Sequence, residues 1–308
     1  MKVCFVGAGS IGKRHIRNFK KLSEEHGFFP EIHLLRSSNQ RLESDIEQMV
    51  YRQWYQSCAC TEKYDAIFIT NPTYLHYQSL LELKECSDCF FIEKPVFSDI
   101  KADLSVFEQQ EKNIYYTACP LRYTKVLQMA KQIADSEQVI SVRGICSSYL
   151  PDWRPGTDYR TVYSACEEQG GGVRADLIHE WDYLIWLFGF PDQVFQMSGK
   201  YSDLEIRSRD LAVYIAKYRD KLAELHLDYF GRQTRRSLEM ITSDNFYVFD
   251  IAGAHIMKNG QLYAQFDEKP NDKYMEELRY FYRLMQGREV NANHLQHAVR
   301  TMQIALGS

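Results

Sequence analysis

The chain opens on short apolar runs separated by stretches with helical spacing. Lys2–Val6, Glu31–Leu35, Ala66–Thr70 and Phe90–Ile92 are brief and rich in Ile, Phe, Leu or Val. Continuous apolar runs of this length suit strands of a parallel sheet covered on both faces. Between them the spacing predicts helices over Ile11–Lys21, Leu42–Tyr55 and Leu75–Cys86. Such alternation reads as an α/β sheet wound with helices.

After about Leu121 the pattern changes. A helix is expected over Tyr123–Ala134, a strand over Val139–Tyr149, and a strongly patterned helix over Val173–Phe188. Val194–Ser198, Asp210–Tyr218, Lys221–Phe230, Arg235–Thr242 and Asn245–Ile251 then read as strands joined by polar turns, with Asp220 and Ser243-Asp244 as turn residues. Helices over Tyr274–Gln286 and Leu295–Leu306 follow. The expected organisation is a parallel α/β domain over residues 1–121 and an α+β domain with a large, mostly antiparallel sheet over 122–308, the last helix (about 293–308) packing back on the first domain.

Composition narrows the function classes. The 308 residues give room for two domains at roughly 150 residues each. A net charge of −4 without a long basic run argues against nucleic acid or an anionic membrane as partner. The apolar run Tyr183–Phe190 is far shorter than the roughly 20 residues of a membrane helix, and the first residues read as a strand rather than a signal peptide. A cytoplasmic protein with a small ligand is expected. The eight cysteines then read as reduced thiols. Cys58 with Cys60, and Cys86 with Cys89, lack the second pair that a structural zinc site needs, so no metal is expected.

Gly7-Ala8-Gly9-Ser10-Ile11-Gly12 follows one expected strand and opens a helix, the context in which this glycine spacing cradles a dinucleotide. Gly7 permits the tight turn, Gly9 lets the backbone approach a pyrophosphate, and Gly12 lets helix and strand pack closely. The N–H groups near Ser10 and Ile11 face the phosphates. An NAD site usually has Asp or Glu at the end of the second strand; here Arg36 and Ser37 stand there, which favours the 2′-phosphate of NADP over NAD.

Three further segments fall into register with the glycine loop: Thr70-Asn71-Pro72, His76 one turn into the next helix, and Glu93-Lys94-Pro95. In this combination the whole chain resembles the Gfo/Idh/MocA family, relatives of glucose-fructose oxidoreductase and inositol dehydrogenase. The resemblance implies a Rossmann domain holding a nicotinamide cofactor, with Asn71, Pro72, His76, Glu93 and Lys94 beside it, and an α+β domain with an open sheet often used to form dimers. A homodimer or homotetramer is expected on that ground. It also gives Lys94 a catalytic role; a lysine at the carboxyl end of a parallel strand can exchange a proton with a reacting hydroxyl.

The second signature is Gly170-Gly171-Gly172, followed by Asp176, His179 and Asp182 on one face of the expected helix. His179 is a candidate proton acceptor. The family usually has Asp four residues before this His, where Ala175 stands here; Asp176, three before, is the candidate instead. Asp182 either orients the imidazole or caps a neighbouring element, and is a candidate substrate contact. Trp153, Arg154, Tyr159 and Arg160 crowd an aromatic and basic loop suited to a hydroxylated, anionic ligand, and resemble loops of relatives in bacterial surface-sugar pathways. Arg122 resembles a family position facing the cleft.

The expected activity is hydride transfer between NAD(P) and a carbinol or carbonyl carbon of a sugar, nucleotide sugar or cyclitol. A glycosidase that retains its dinucleotide and a non-catalytic dinucleotide-binding sensor stand as alternatives.

Overall fold

The computed structural model describes residues 1–55, 62–108 and 112–307; Cys58 and Cys60 lie outside them. Two compact units emerge: Met1–Cys119 with Tyr274–Arg300, and Pro120–Lys273 with Thr301–Ser308. The leading stretch of the first unit ends at Cys119. Residues 274–300 nevertheless return to the first unit instead of continuing an unbroken second domain.

In the first unit, β1 (Lys2–Val6), α1 (Ser10–His26), β2 (Glu31–Leu35), α2 (Ser44–Met49), β3 (Val50–Trp54), β4 (Ala66–Ile69), α3 (His76–Leu83), β5 (Cys89–Ile92), α4 (Ser105–Glu108) and β6 (Ile114–Thr117) follow in order. The six strands are parallel and ordered β3-β2-β1-β4-β5-β6, the Rossmann order, whose direction reverses between β1 and β4. The core is aromatic. Phe5 stacks on Phe68 at 4.4 Å between ring centroids, Phe68 on Phe91 at 5.3 Å, and Phe281 meets Phe91 edge-on at 5.3 Å. Each fully buried ring contributes about 1.5–3 kcal/mol relative to exposure.

Two expectations need correction here. The helix expected over Leu42–Tyr55 stops at Met49, and Val50–Trp54 is a strand on the β2 edge; Val, Tyr and Trp favour that pleated surface. The strand Ile114–Thr117 was not anticipated, although its Ile-Tyr-Tyr-Thr composition suits one.

The second unit runs through α5 (Lys125–Ser136), β7 (Val139–Tyr149), α6 (Val173–Asp176), α7 (His179–Phe188), β8 (Gln193–Gly199), β9 (Leu211–Lys217), β10 (Leu222–Asp228), β11 (Phe230–Thr242), β12 (Phe246–Asp250), β13 (His255–Lys258) and β14 (Gln261–Gln265). The helices α8 (Asp272–Met285) and α9 (Leu295–Leu306) follow. Its eight strands are ordered β14-β13-β12-β11-β7-β10-β9-β8, and only β7 with β10 is parallel. Helix α7 covers one face. Trp181 meets Tyr214 edge-on at 5.2 Å, and a Cβ on Gly144 would stand 3.4 Å from the Tyr183 hydroxyl.

The single helix expected over Val173–Phe188 is interrupted. Leu177 leaves helical geometry at φ −97°, ψ 24°, separating α6 from α7. Leu177 and Ile178 are both buried; successive positions of a straight helix point about 100° apart, and the break lets both enter the core.

Candidate active site

The ends of β1, β2, β4 and β5 carry the first unit's candidate residues. Thr70 N–H donates to the Val6 carbonyl at 2.9 Å and Glu93 N–H to the Ile69 carbonyl at 2.9 Å, so these ends are fixed to one another by sheet bonds. Gly7 has φ +99°, and a Cβ there would fall 2.8 Å from the backbone of Asn71. A Cβ on Gly12 would come 2.4 Å from the Gly7 carbonyl oxygen. These two glycines are demanded by packing within the unit.

Gly9 is different. A Cβ there would meet nothing within 4 Å, and its φ of −69° is open to any residue. It precedes the N-terminus of α1, which begins at Ser10 with no side-chain cap and no acidic residue in its first turn. The N–H groups at Ser10 and Ile11 have no intrahelical acceptor. A bare backbone with uncapped donors is a cradle that fits a pyrophosphate.

Arg36 follows β2, and its N–H bonds the Trp54 carbonyl at 2.9 Å. Its guanidinium donates to Gln53 Oε1 at 3.3 Å and to the Gln40 carbonyl, both neutral acceptors. Ser37 beside it is exposed. The Asn71 amide donates to Ser79 Oγ at 2.8 Å, and Pro72 leads into the turn before α3.

His76 is buried, with Nε2 2.8 Å from the Asn71 carbonyl and Nδ1 3.1 Å from the carbonyls of Pro95 and Val96. Burial lowers its pKa. The imidazole ties the Asn71 turn to the segment after Lys94. On the other side, His15 Nε2 stands 2.7 Å from Glu93 Oε1, and both residues are buried. Burial pushes the Glu93 carboxyl up, but the His15 hydrogen bond and the charge of Lys94 more than reverse this and leave it below the usual range. Glu93 Oε2 also accepts the Lys94 N–H at 3.2 Å. His15 was missed in the sequence; its signal is a polar residue on the apolar stripe of α1, between Gly12 and Phe19.

In the second unit, Asp176 accepts the Tyr229 hydroxyl at 2.6 Å. Burial, then the Asp176 charge, raises the Tyr229 pKa well above its ordinary value, so the phenol stays a donor. Tyr229 was also missed. With α6 ending at Asp176 and α7 starting at His179, the two do not share one continuous helix as expected. His179 stands half-buried in the first turn of α7. Next to it, Glu180 is wholly buried, with Oε1 2.9 Å from Arg236 Nε on β11.

Arg122 was expected to face ligand and is instead buried with Asp182 in a two-point pair, Nε to Oδ2 at 2.8 Å and Nη2 to Oδ1 at 2.6 Å. Asp182 therefore anchors α7 to the segment before α5.

Trp153 rests edge-on against Tyr229 at 5.2 Å and donates to Ser148 Oγ at 2.9 Å. Arg154 lies over the Tyr163 ring at 5.5 Å. Tyr159 accepts the Glu205 N–H at 3.2 Å, and Arg160 pairs with Asp158 at 2.8 Å and Glu205 at 2.6 Å. Much of this loop is thus held by its own charges.

Among the described residues, Glu31, His33 and Glu62 bring potential metal-ligand atoms within 4.8 Å of one another. Lys2 Nζ already bonds Glu62 and lies 3.6 Å from Glu31, placing an ammonium where a cation would go. Cys86 and Cys89 are free thiols. No described helix is long and apolar enough to cross a membrane.

Residues 1–116 match the model described as an oxidoreductase family with an NAD-binding Rossmann fold. An uncharacterized oxidoreductase, YrbE, of Bacillus subtilis is 34% identical over 92 residues, 30% of this chain and only 26% of that protein's length. Over the full chain, the fold resembles the WlbA dehydrogenase of Bordetella pertussis, solved with NADH and UDP-GlcNAcA (TM-score 0.78, 15% identity, covering 99% of this chain and 94% of that one). It also resembles a levoglucosan dehydrogenase solved with NADH and levoglucosan (TM-score 0.81, 14% identity, covering 99% and 95%).

Proposed function

We propose that this chain, whose residues 1–116 match the model of an oxidoreductase family with an NAD-binding Rossmann fold, is an oxidoreductase of the Gfo/Idh/MocA kind that transfers a hydride between a nicotinamide dinucleotide and a carbinol or carbonyl carbon of a sugar, nucleotide sugar or cyclitol. The observation that carries the reading is the convergence of the open Gly9 cradle, Asn71 and Lys94 at the carboxyl ends of β1, β4 and β5 in one sheet. A bound nicotinamide supplies the site that accepts or donates hydride. The chain's own part is to hold the phosphates at Gly9, Ser10 and Ile11, and to exchange the hydroxyl proton at Lys94 Nζ and the His179 imidazole.

Asp176, with a phenol already on one oxygen, is better suited to orienting than to accepting the proton. Arg154 and Trp153 are the loop residues we assign to a hydroxylated or anionic ligand. NADP is the preferred cofactor on the strength of Arg36, whose guanidinium is held by neutral acceptors and keeps its charge for a 2′-phosphate.

The same reading makes the chain a cytoplasmic homodimer or homotetramer. Phe195, Met197, Ile215 and Leu222 are exposed on the sheet face opposite α7, beside a 1020 Å³ concavity lined by Arg143, Glu224 and Arg235. A second copy covering that face would remove the apolar surface from water.

The test is a fluorescence titration with NADPH and NADH, followed by a screen of sugar substrates read by nicotinamide absorbance. NADPH is expected to bind more tightly. Lys94→Ala is expected to lower turnover about 10²-fold or more with cofactor affinity retained; unchanged turnover sinks the assignment. Glycoside cleavage without net change in reduced nicotinamide would replace it.

A further inference from the structure

The segment carrying Lys94 is held by buried polar groups on both sides, and one of them is a carboxylate. Burying ionised Glu93 beside His15 is costly unless the geometry returns the lost solvation. Here it does. Glu93 Oε1 meets His15 Nε2 at 2.7 Å, and Oε2 accepts the Lys94 N–H at 3.2 Å. An ionised carboxylate only accepts, so Nε2 carries the proton of the shared bond. The other ring edge of His15 lies among aromatics, Phe91 at 4.9 Å and Tyr274 at 6.3 Å, which fix the ring plane.

His15 sits three residues past Gly12, in the same helix whose N-terminus forms the phosphate cradle. We propose that His15 and Glu93 are a positioning pair for Lys94: the hydrogen-bonded carboxylate fixes the Lys94 peptide and holds a negative charge on the adjoining residue, coupling the glycine-loop helix to the proton-handling lysine. The inference rests on the reading of Lys94 given above. Among the described residues, the charged and titratable groups that act on Glu93 include His15 from α1, Lys94 from its own strand end and His76 from α3, whose imidazole feels the charge of the carboxylate.

The pair is testable without turnover. Lysines of the intact protein are labelled by reductive ¹³C-methylation, the Lys94 signal is assigned by its loss in Lys94→Arg, and its titration midpoint is followed by NMR. Glu93→Gln keeps the shape and removes the charge, and is expected to lower the Lys94 midpoint by about one pH unit or more. His15→Phe fills the space without a donor and is expected to lower it too, because the unpaired carboxyl protonates in its apolar site. His15→Gln restores an N–H donor and is expected to keep the midpoint near that of the parent protein. An unchanged midpoint in Glu93→Gln, or a Gln variant as impaired as the Phe variant, overturns the proposal. If His15→Phe fails to fold, the other two variants decide. Should the midpoints move as expected while Lys94→Ala leaves hydride transfer intact, the positioning pair stands and the catalytic reading of Lys94 falls.

Discussion

The end of β5 and the loop over residues 151–163 were both read from the sequence as functional, yet they are built on opposite principles. Around Glu93-Lys94 the polar groups are buried and each answers a specific partner: His15 to Glu93, His76 to the Asn71 and Pro95 carbonyls. Around Arg160 the charges are exposed and answer one another across solvent, Asp158 and Glu205 sharing one guanidinium. Removing a buried partner leaves the other desolvated and uncompensated, whereas water replaces an exposed one. A group packed in the first manner can hold a reacting atom in place; one packed in the second cannot without help from ligand.

The sharpest way to break this contrast is to test a buried pair outside β5. Arg122→Ala takes away the guanidinium of the buried pair with Asp182 of α7, and is expected to cost about 3–5 kcal/mol, read as a drop in the denaturant midpoint. Arg122→Met with Asp182→Leu is expected to recover most of that. A loss no larger than that of an exposed pair would erase the distinction.

The glycine loop sharpens the comparison next, because it contains both situations in six residues. Gly12→Ala pushes a methyl onto the Gly7 carbonyl and is expected to lower stability by about 1–3 kcal/mol. Gly9→Ala meets no protein atom. It is expected to keep the melting temperature and lose at least about tenfold in NADH affinity, a change of about 1.4 kcal/mol. Equal stability losses for the two would remove the cradle.

What the sequence disclosed follows the same division. The Rossmann half was legible because short apolar strands, the glycine loop and Glu-Lys-Pro are local patterns with fixed spacing. The Val50–Trp54 strand was not, because its Val-Tyr-Arg-Gln-Trp run continues a helical spacing and becomes a strand only by pairing with β2. The β13–β14 hairpin was missed despite a local signal: Asn259 and Gly260 have φ of +50° and +81°, as the tightest hairpin turn requires. Among site residues, Lys94 and the glycines carry motifs, while His15 and Tyr229 acquire their roles through partners 78 and 53 residues away. Arg122 and Asp182 were read as ligand contacts because sequence records the charges of a buried pair without recording that they meet.

A smaller effect concerns acid. Burial holds the His76 pKa below its unfolded value of about 6.5, so the unfolded chain takes up the proton first. Stability is therefore full above pH 6.5 and falls as pH drops from there toward the folded value. His76→Gln is expected to flatten that limb of the stability curve measured by urea unfolding. Because His33 is also buried with a lowered pKa, some slope is expected to persist, and His33→Gln in addition is expected to reduce it further.

The smallest expected effect is the most discriminating for the loop. Arg160 is exposed, its guanidinium pKa raised by hydrogen bonds to Asp158 and then Glu205, and its ion pairs compete with water and salt. If those contacts are the whole of its role, Arg160→Ala leaves the melting temperature unchanged at 0.5 M salt and the substrate KM unchanged as well. If instead an anionic substrate draws the guanidinium away from Asp158, KM rises while the melting temperature stays where it was. The ligand then does for the loop what His15 and His76 do for β5: it supplies the partner that turns a solvated charge into a fixed one.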